Sequence, residues 1–433
     1  MAKKTYYSKK TIPFRFGDKH IEYIRKCQGN VYNIAEGAVR AGKTIDNVFA
    51  FAHELETTPD KIHLATGSTS ANAKLNIGDA NGFGLESIFR GQSHWGKYKG
   101  NDCLYIKGPK TNFKQKIVIF AGASLANSFK KIRGNSYGMW IATEINLHHE
   151  NTIKEAFNRT LASKRRKFFW DLNPDHPRAA IYVDYIDKYV ERAAKGELTG
   201  GVNYQHFTIF DNVNISEESR NEFISQYEKG TIWYQRDILG IRCVATGLVY
   251  PMFSRNKHVV EGEFTYNPRH RYYVSVDYGT VNPFAVGLYD YSPAERKATM
   301  IKELYFRGGS KNRVDNEAYY KMLKSLVGDY RIEYIIIDPS AASMIETIQK
   351  YGEFSVIGGN NDVLNGIQDV TKFLNSGVLF FSSQCTNTFD EFEGYVWDEK
   401  SEEDKVVKEN DHSMDQLRYF CRTALRNELK WIV

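Results

Sequence analysis

Residues 37 to 44 read Gly-Ala-Val-Arg-Ala-Gly-Lys-Thr. Paired glycines followed directly by lysine and a hydroxyl residue make a loop whose backbone N–H groups can converge on phosphate oxygens, with a lysine for the β- and γ-phosphates and a hydroxyl for Mg2+. Gly37, Arg40, Gly42, Lys43 and Thr44 are therefore the candidate ATP-binding residues, Thr44 also holding the metal. Hydrolysis needs an acid at the end of a second apolar strand, and Met139-Trp140-Ile141-Ala142-Thr143-Glu144 supplies one. Glu144 can act as general base. Thr143 stands where a magnesium-holding aspartate is expected, which leaves Thr44, the phosphates and water to carry Mg2+. Arg40 and Arg133 are the candidates for stabilising charge on the transferred phosphoryl group, one in cis and one from a neighbouring subunit, in either assignment. Asn173, closing Trp170-Asp171-Leu172-Asn173-Pro174, can sense the γ-phosphate or simply form an Asn-Pro turn.

A second set of residues suits different chemistry. Asp277 ends the apolar run Tyr273-Val274-Ser275-Val276, and Asp338 ends Tyr334-Ile335-Ile336-Ile337. A carboxylate that follows a buried strand is costly unless it is paired or metal-bound. The third element is Asn410-Asp411-His412-Ser413-Met414-Asp415, at the start of the last helical stretch. There Asp415 shares a helical face with Asp411 or His412. Convergence of Asp277, Asp338 and Asp415, with Asp411 and His412 as further ligands, suits two Mg2+ or Mn2+ ions that activate water for phosphodiester cleavage.

Two kinds of element must position these groups. Short β-type runs at 31–35, 61–66, 116–121, 139–142 and 168–171 alternate with helical stretches, the pattern of a mostly parallel sheet covered by helices. Residues 43–54 put Ile45, Val48, Phe49 and Ala52 on one helical face directly after the loop. Helical stretches at 179–194 and 216–227, with an extended run at 204–210, suggest a lid or linker. Beyond an irregular segment around residue 255, the runs 271–277, 284–291 and 298–305 predict an antiparallel meander, and 334–338 a further buried strand. Helices are expected at 316–326, 343–351, 363–374 and 411–426. The expected division is 1–177 for a P-loop ATPase core, 178–255 for a lid or linker subdomain and 256–433 for a nuclease domain.

Composition agrees with a soluble globular protein. At 433 residues, with 42% hydrophobic and 25% charged residues, the chain has material for two cores and is not compositionally disordered. The net charge of +6, with clusters at Lys130-Lys131-Arg133 and Lys164-Arg165-Arg166-Lys167, suits a polyanionic partner. Cys27, Cys103, Cys243, Cys385 and Cys421 are scattered and lack metal-ligand spacing, so they read as reduced thiols of a cytosolic compartment. No apolar run reaches membrane-spanning length, and Met1 to Tyr7 leads into no export signal.

Together these motifs resemble the large terminase subunit of tailed double-stranded DNA bacteriophages. Glu36 to Thr44 is similar to that family's phosphate loop, Ile132-Arg133-Gly134 through Glu144 to its second ATPase motif, and Leu172-Asn173-Pro174 to its coupling motif. Asp277 with Tyr278-Gly279, Asp338-Pro339-Ser340, and Asp411 to Asp415 with Leu417-Arg418-Tyr419 resemble its nuclease motifs. Two departures stand out: Thr143, and Arg40 one position nearer the lysine than the family's common loop arginine. The resemblance implies an α/β fold, with an N-terminal RecA-like P-loop ATPase and lid followed by an RNase H-like nuclease domain. It implies ATP-driven movement of double-stranded DNA and cleavage of concatemers. The implied partners are DNA, a small terminase subunit, the portal ring of a procapsid and further copies of the chain in a ring, in the host cytoplasm. A host ATP-dependent helicase or repair nuclease, or a nucleotide-gated DNA-binding adaptor, would carry some of the same motifs.

Overall fold

The central strands of the first sheet are buried on both faces, as parallel strands covered by helices must be. In the computed structural model, which describes residues 14–279, 283–307 and 314–431, the chain forms two compact units. Met1–Arg220 with Gln235–Cys243 forms one, and Asn221–Tyr234 with Val244–Val433 the other. Residues 178–255, read from the sequence as one lid or linker, are thus divided between them. The first unit contains β1 (Tyr32–Gly37), β2 (Ile62–Gly67), β3 (Ser93–Tyr98), β4 (Asn101–Ile106), β5 (Lys116–Gly122), β6 (Met139–Ala142), β7 (Lys167–Leu172) and β8 (Val202–Phe207), in the order β3-β4-β5-β2-β6-β7-β1-β8. From β5 to β8 in that order each adjacent pair runs parallel, while β4 joins β5 in antiparallel.

The expected strands 31–35, 61–66, 116–121, 139–142 and 168–171 are all found, displaced by no more than two residues at either end. The antiparallel pair β3–β4 was not anticipated. β3 is polar and half-exposed, and the turn to β4 places Lys99 and Gly100 at φ 49° and 82°. Both residues of such a two-residue turn need positive φ, and lysine in the first position does not advertise it. The run expected at 204–210 is β8, which pairs along the whole of β1. That pairing is close: a Cβ on Gly37, at φ 154°, would lie 1.9 Å from the Phe207 carbonyl oxygen. Only glycine fits there.

One face of this sheet carries an aromatic core. Trp140 and Trp170 meet edge to face at 5.4 Å, with Phe157 and Phe168 packed around them. The Trp140 Nε1–H donates to Thr66 Oγ1 at 2.8 Å, so the ring is buried without stranding its polar atom. The helix Lys43–Thr57 covers the opposite face, where Phe51 meets Phe169.

The second unit contains β9 (Val259–Val260), β10 (Arg271–Asp277), β11 (Phe284–Ser292), β12 (Lys297–Phe306), β13 (Ile332–Ile337), β14 (Val356–Gly358) and β15 (Leu379–Ser382), in the order β14-β13-β10-β11-β12-β15-β9. β10, β11 and β12 form the expected antiparallel meander, and β13 joins β10 in parallel. The helices expected at 316–326, 343–351 and 363–374 are found as Asn316–Val327, Ala342–Tyr351 and Val363–Asn375. The closing helix is shorter than expected, His412–Thr423. It lies against β10 and β11, where Ser275 Oγ donates to the Gln416 carbonyl at 2.6 Å and Phe420 stacks on Tyr289 at 3.7 Å.

No two cysteines among the described residues form a disulfide. Among the described residues, no helix is long and apolar enough to cross a membrane. Trp140→Ala should destabilise the protein by about 3–5 kcal/mol, the usual range for removing a buried aromatic. Denaturant unfolding measures it, and a loss below about 1 kcal/mol would contradict the packing described.

Candidate active sites

The first site forms where three parallel strands end together. β7 lies between β6 and β1, with Ala142 opposite Trp170 and Ala35 opposite Asp171. The period of two along β7 sends Phe168, Trp170 and Leu172 into the aromatic core. Asp171 and Asn173 therefore face the other way, toward the loop. There a cavity of about 600 Å³ is lined by Arg40, Gly42, Lys43, Thr44, Thr143, Glu144, Asp171 and Asn173, with Phe14, Leu75, Asn81 and Asn212 at its margins.

Lys43 is 6% exposed and uses all three ammonium protons, donating to Gly37 O at 2.9 Å, Ala38 O at 2.6 Å and Asn173 Oδ1 at 3.0 Å. Burial pushes its pKa down to about 8, against the pull of Asp171 and Glu36. Glu144 follows β6 in a left-handed conformation at φ 54°. The Glu144 N–H donates to Asp171 Oδ1 at 3.1 Å, and the Thr143 hydroxyl donates to the same oxygen at 3.2 Å. Burial raises the Asp171 carboxyl to about 6.

Of the residues read from the sequence, Arg40, Gly42, Lys43, Thr44, Glu144 and Asn173 line this cavity, and Gly37 supports Lys43 from beneath. Arg133 does not line it. Its exposed side chain pairs with Glu155 at 3.4 Å and lies over the Phe129 ring at 4.3 Å. Several supporting residues were missed. Asn212 donates to the Arg40 carbonyl at 2.6 Å and holds the loop's left-handed residue. Glu36, 1% exposed, accepts from Arg242 and from the Tyr204 hydroxyl, and Arg242 lies over the Tyr182 ring at 3.7 Å. Nothing local in the sequence pairs positions 36 and 242. Asp171 did leave a signal, an acid inside an apolar strand two positions from Asn173.

The second site lies at the C-terminal ends of β10 and β13. Val276 pairs with Ile337, so Asp277 and Asp338 follow side by side on neighbouring parallel strands. A cleft of about 550 Å³ is lined by Asp277, Tyr278, Lys408, Asp411, His412 and Asp415. His412 Nδ1 stands 2.8 Å from Asp277 Oδ2. Burial raises the Asp277 pKa, the charges of Asp415 and Asp411 add to it, and His412 opposes it. Lys408 Nζ lies 3.1 Å from Asp411 and 3.4 Å from Asp415, and the buried Arg418 also bonds Asp415. Asp338 does not line the cleft. It accepts from Ser340 N–H, from Asn361 and from the Tyr419 hydroxyl, the last at 3.3 Å. Among the described residues, no three His, Cys, Asp or Glu side chains already converge as a metal-holding group.

Glu391 organises this site from below and escaped sequence reading, being one of three acids, with Asp390 and Glu393, in the short helix Thr386–Gly394. Its Oε2 accepts the N–H groups of Ser413 and Met414 at 2.7 and 3.2 Å, capping the helix that carries Asp415, and its Oε1 accepts from Tyr305. Burial pushes its pKa up to about 7.

A phosphate loop on one sheet and a carboxylate-lined strand edge on another, in a single chain, are the pair of sites that a protein of the ATPase-and-nuclease class would carry. Solved structures give that class its particular form. The large terminase of a thermophilic bacteriophage is similar at 29% identity, with 95% of this chain and 99% of that one covered and a TM-score of 0.79. The same thermophilic-phage protein in complex with ADP and with ATP-gamma-S matches at TM-scores of 0.76 and 0.75, again at 29% identity, with 95% of this chain and 100% of that one covered. No family model and no curated protein matches the chain. The fold is that of the large terminases of tailed phages, which have an ATPase domain and a nuclease domain.

Arg242→Ala should destabilise the protein by about 3 kcal/mol, because it leaves the Glu36 carboxylate buried and unpaired. Arg242→Lys should not restore stability, since a lysine cannot reproduce the forked contact with Glu36 and Asp187. Urea unfolding of the two variants checks this, and full rescue by lysine would contradict it.

Proposed function

We propose that this chain is a large terminase subunit, using ATP to drive viral double-stranded DNA into a procapsid and cutting concatemeric DNA with divalent metal. The observation that carries this reading is the convergence of Lys43, Thr44, Glu144 and Asn173 on one cavity, in a chain that matches the thermophilic-phage large terminase over nearly the full length of both. The ADP and ATP-gamma-S complexes of that protein support the same choice of nucleotide here.

In the ATPase half, bound MgATP supplies the transferable phosphoryl group. Lys43, freed from its own loop carbonyls, neutralises the β- and γ-phosphates, and Thr44 offers its hydroxyl to Mg2+. Glu144 accepts a proton from the attacking water. Asn173, already bonded to Lys43, changes partner when phosphate arrives and so reports occupancy to β7. Arg40 lines the cavity and suits the cis arginine role. Arg133, outside the cavity, suits a trans role toward the next copy in a ring.

In the nuclease half, hard carboxylate oxygens are the donors that Mg2+ and Mn2+ take. Asp277, Asp411 and Asp415 would hold such ions, two in number, with Asp338 and His412 at the edge. Asp411 Oδ2 is buried, and the group it meets is the Lys408 ammonium at 3.1 Å, so the position is one already held by a cation. Metal would replace the side-chain cation Lys408 and relieve the mutual repulsion of the acids. The proposed partners are double-stranded DNA, the portal ring, the small terminase subunit and sister copies of this chain, meeting in the host cytoplasm.

Glu144→Gln should lower DNA-stimulated phosphate release by about 10²–10⁴-fold, the usual contribution of a general base. Lys43→Ala should abolish it. With Mn2+ the purified protein should cut plasmid DNA, and Asp277→Ala should not. Plasmid cutting that survives Asp277→Ala would sink the metal assignment. Unwinding of forked DNA without a procapsid would favour a helicase instead.

A further inference from the structure

Thr143 leaves the phosphate-loop site without the aspartate that ordinarily faces magnesium from the end of the acidic strand. A carboxylate nevertheless stands beside that position. Asp171 is the next residue after Trp170, which pairs with Ala142, so it ends level with Thr143 on the neighbouring strand. It is 3% exposed and lines the cavity together with Lys43, Thr44 and Glu144. Its two oxygens have different surroundings. Oδ1 accepts from the Thr143 hydroxyl at 3.2 Å and from the Glu144 N–H at 3.1 Å. Oδ2 is buried and has no hydrogen-bond partner among the described residues.

A buried carboxylate oxygen left without a donor is destabilising. Such a cost persists at a site where a ligand supplies the missing partner. Magnesium in nucleotide sites keeps several of its waters and is held through one or two carboxylates plus phosphate oxygens. Water molecules of that shell are donors, and an anionic acceptor is what they require.

We propose that Asp171, from β7, takes the part of the absent aspartate, with Oδ2 accepting from the water shell of the nucleotide's Mg2+ while Oδ1 holds Glu144 in place. The inference rests on the nucleotide-binding reading of this cavity. It assigns the second acid of the ATP site to the strand that also carries Asn173. Metal, general base and phosphate-sensing amide are thereby tied to one strand end. Thr143 becomes the link between the strands, its hydroxyl turned toward Asp171 instead of toward the metal.

The test measures metal-dependent binding, not turnover. ATP-gamma-S is titrated calorimetrically into the full-length protein, with Mg2+ varied and with EDTA. The unaltered protein should bind in EDTA and bind more tightly as Mg2+ rises. Asp171→Asn preserves an acceptor for Thr143 and Glu144 but removes the charge. It should still bind ATP-gamma-S in EDTA, yet need about 10–100-fold more Mg2+ for the same relative enhancement, as loss of an outer-shell metal partner requires. Adding Thr143→Asp to that variant returns a carboxylate to the adjacent strand end and should recover most of the metal response. An unchanged Mg2+ midpoint in Asp171→Asn overturns the proposal, as does a double variant that recovers nothing. Failure of the unaltered protein to bind ATP-gamma-S at all would instead remove the nucleotide reading itself.

Discussion

The buried ammonium of Lys43 is the constraint around which the first unit is arranged. A lysine exposed to only 6% must have all three of its protons placed, because an unpaired ammonium in that environment would lose its charge. Two of the acceptors are carbonyls of its own loop and the third is Asn173 on β7. Satisfying them requires β1 to end beside β7 and the loop to curl back over its own start. Gly37 makes that possible, because β8 presses so closely on β1 that no side chain fits. The sheet order is therefore what a caged lysine needs, and the cage opens only to something that outcompetes two carbonyls and an amide. A polyphosphate does so by charge.

The second unit inverts this arrangement. Its problem is an excess of negative charge at one strand edge, and the fold answers with cations drawn from the chain itself. Lys408 bridges Asp411 and Asp415, Arg418 holds Asp415, and His412 sits against Asp277. For His412, burial works against the charged form, but its bond to Asp277 and the charges of Asp277 and Asp411 prevail and raise its pKa. Glu391, capping the helix of Asp415, is held apart from the cluster by its bonds to the Ser413 and Met414 N–H groups and to Tyr305. Hence one acid in this neighbourhood orients the helix while the others face the cleft.

What could be read from the sequence follows from the range of the interactions involved. The phosphate loop, the strand ending in Glu144 and the meander of β10 to β12 were legible because each is encoded by local spacing and alternation. β8 was legible as an extended run but not as part of the first sheet, since its partner β1 lies more than 160 residues earlier. The pairing of Glu36 with Arg242 and the capping of the last helix by Glu391 are equally long-range. Thr143 was recognised as a departure from the expected acid. The closeness of Asp171 to it is not visible locally, because adjacency across β6 and β7 is a property of the sheet and not of either segment.

Backbone strain marks the same places by a different route. A non-glycine residue in the left-handed region costs roughly 1 kcal/mol or more and persists only where its surroundings enforce it. Arg40, Ala80, Asn81 and Glu144 adopt that conformation and all line the phosphate-loop cavity, while Asn410 does so at the rim of the acidic cleft. For two of them the enforcing contact is visible: Asn212 holds the Arg40 carbonyl, and Asp171 holds the Glu144 N–H. Glu144 is thus aimed by a bond to its backbone rather than by its side chain, which leaves its carboxylate available to water. Any rearrangement that draws Asp171 toward the nucleotide also shifts the anchor of Glu144. The positioning of Glu144 and the occupancy of the cavity are consequently coupled through one oxygen pair on β7.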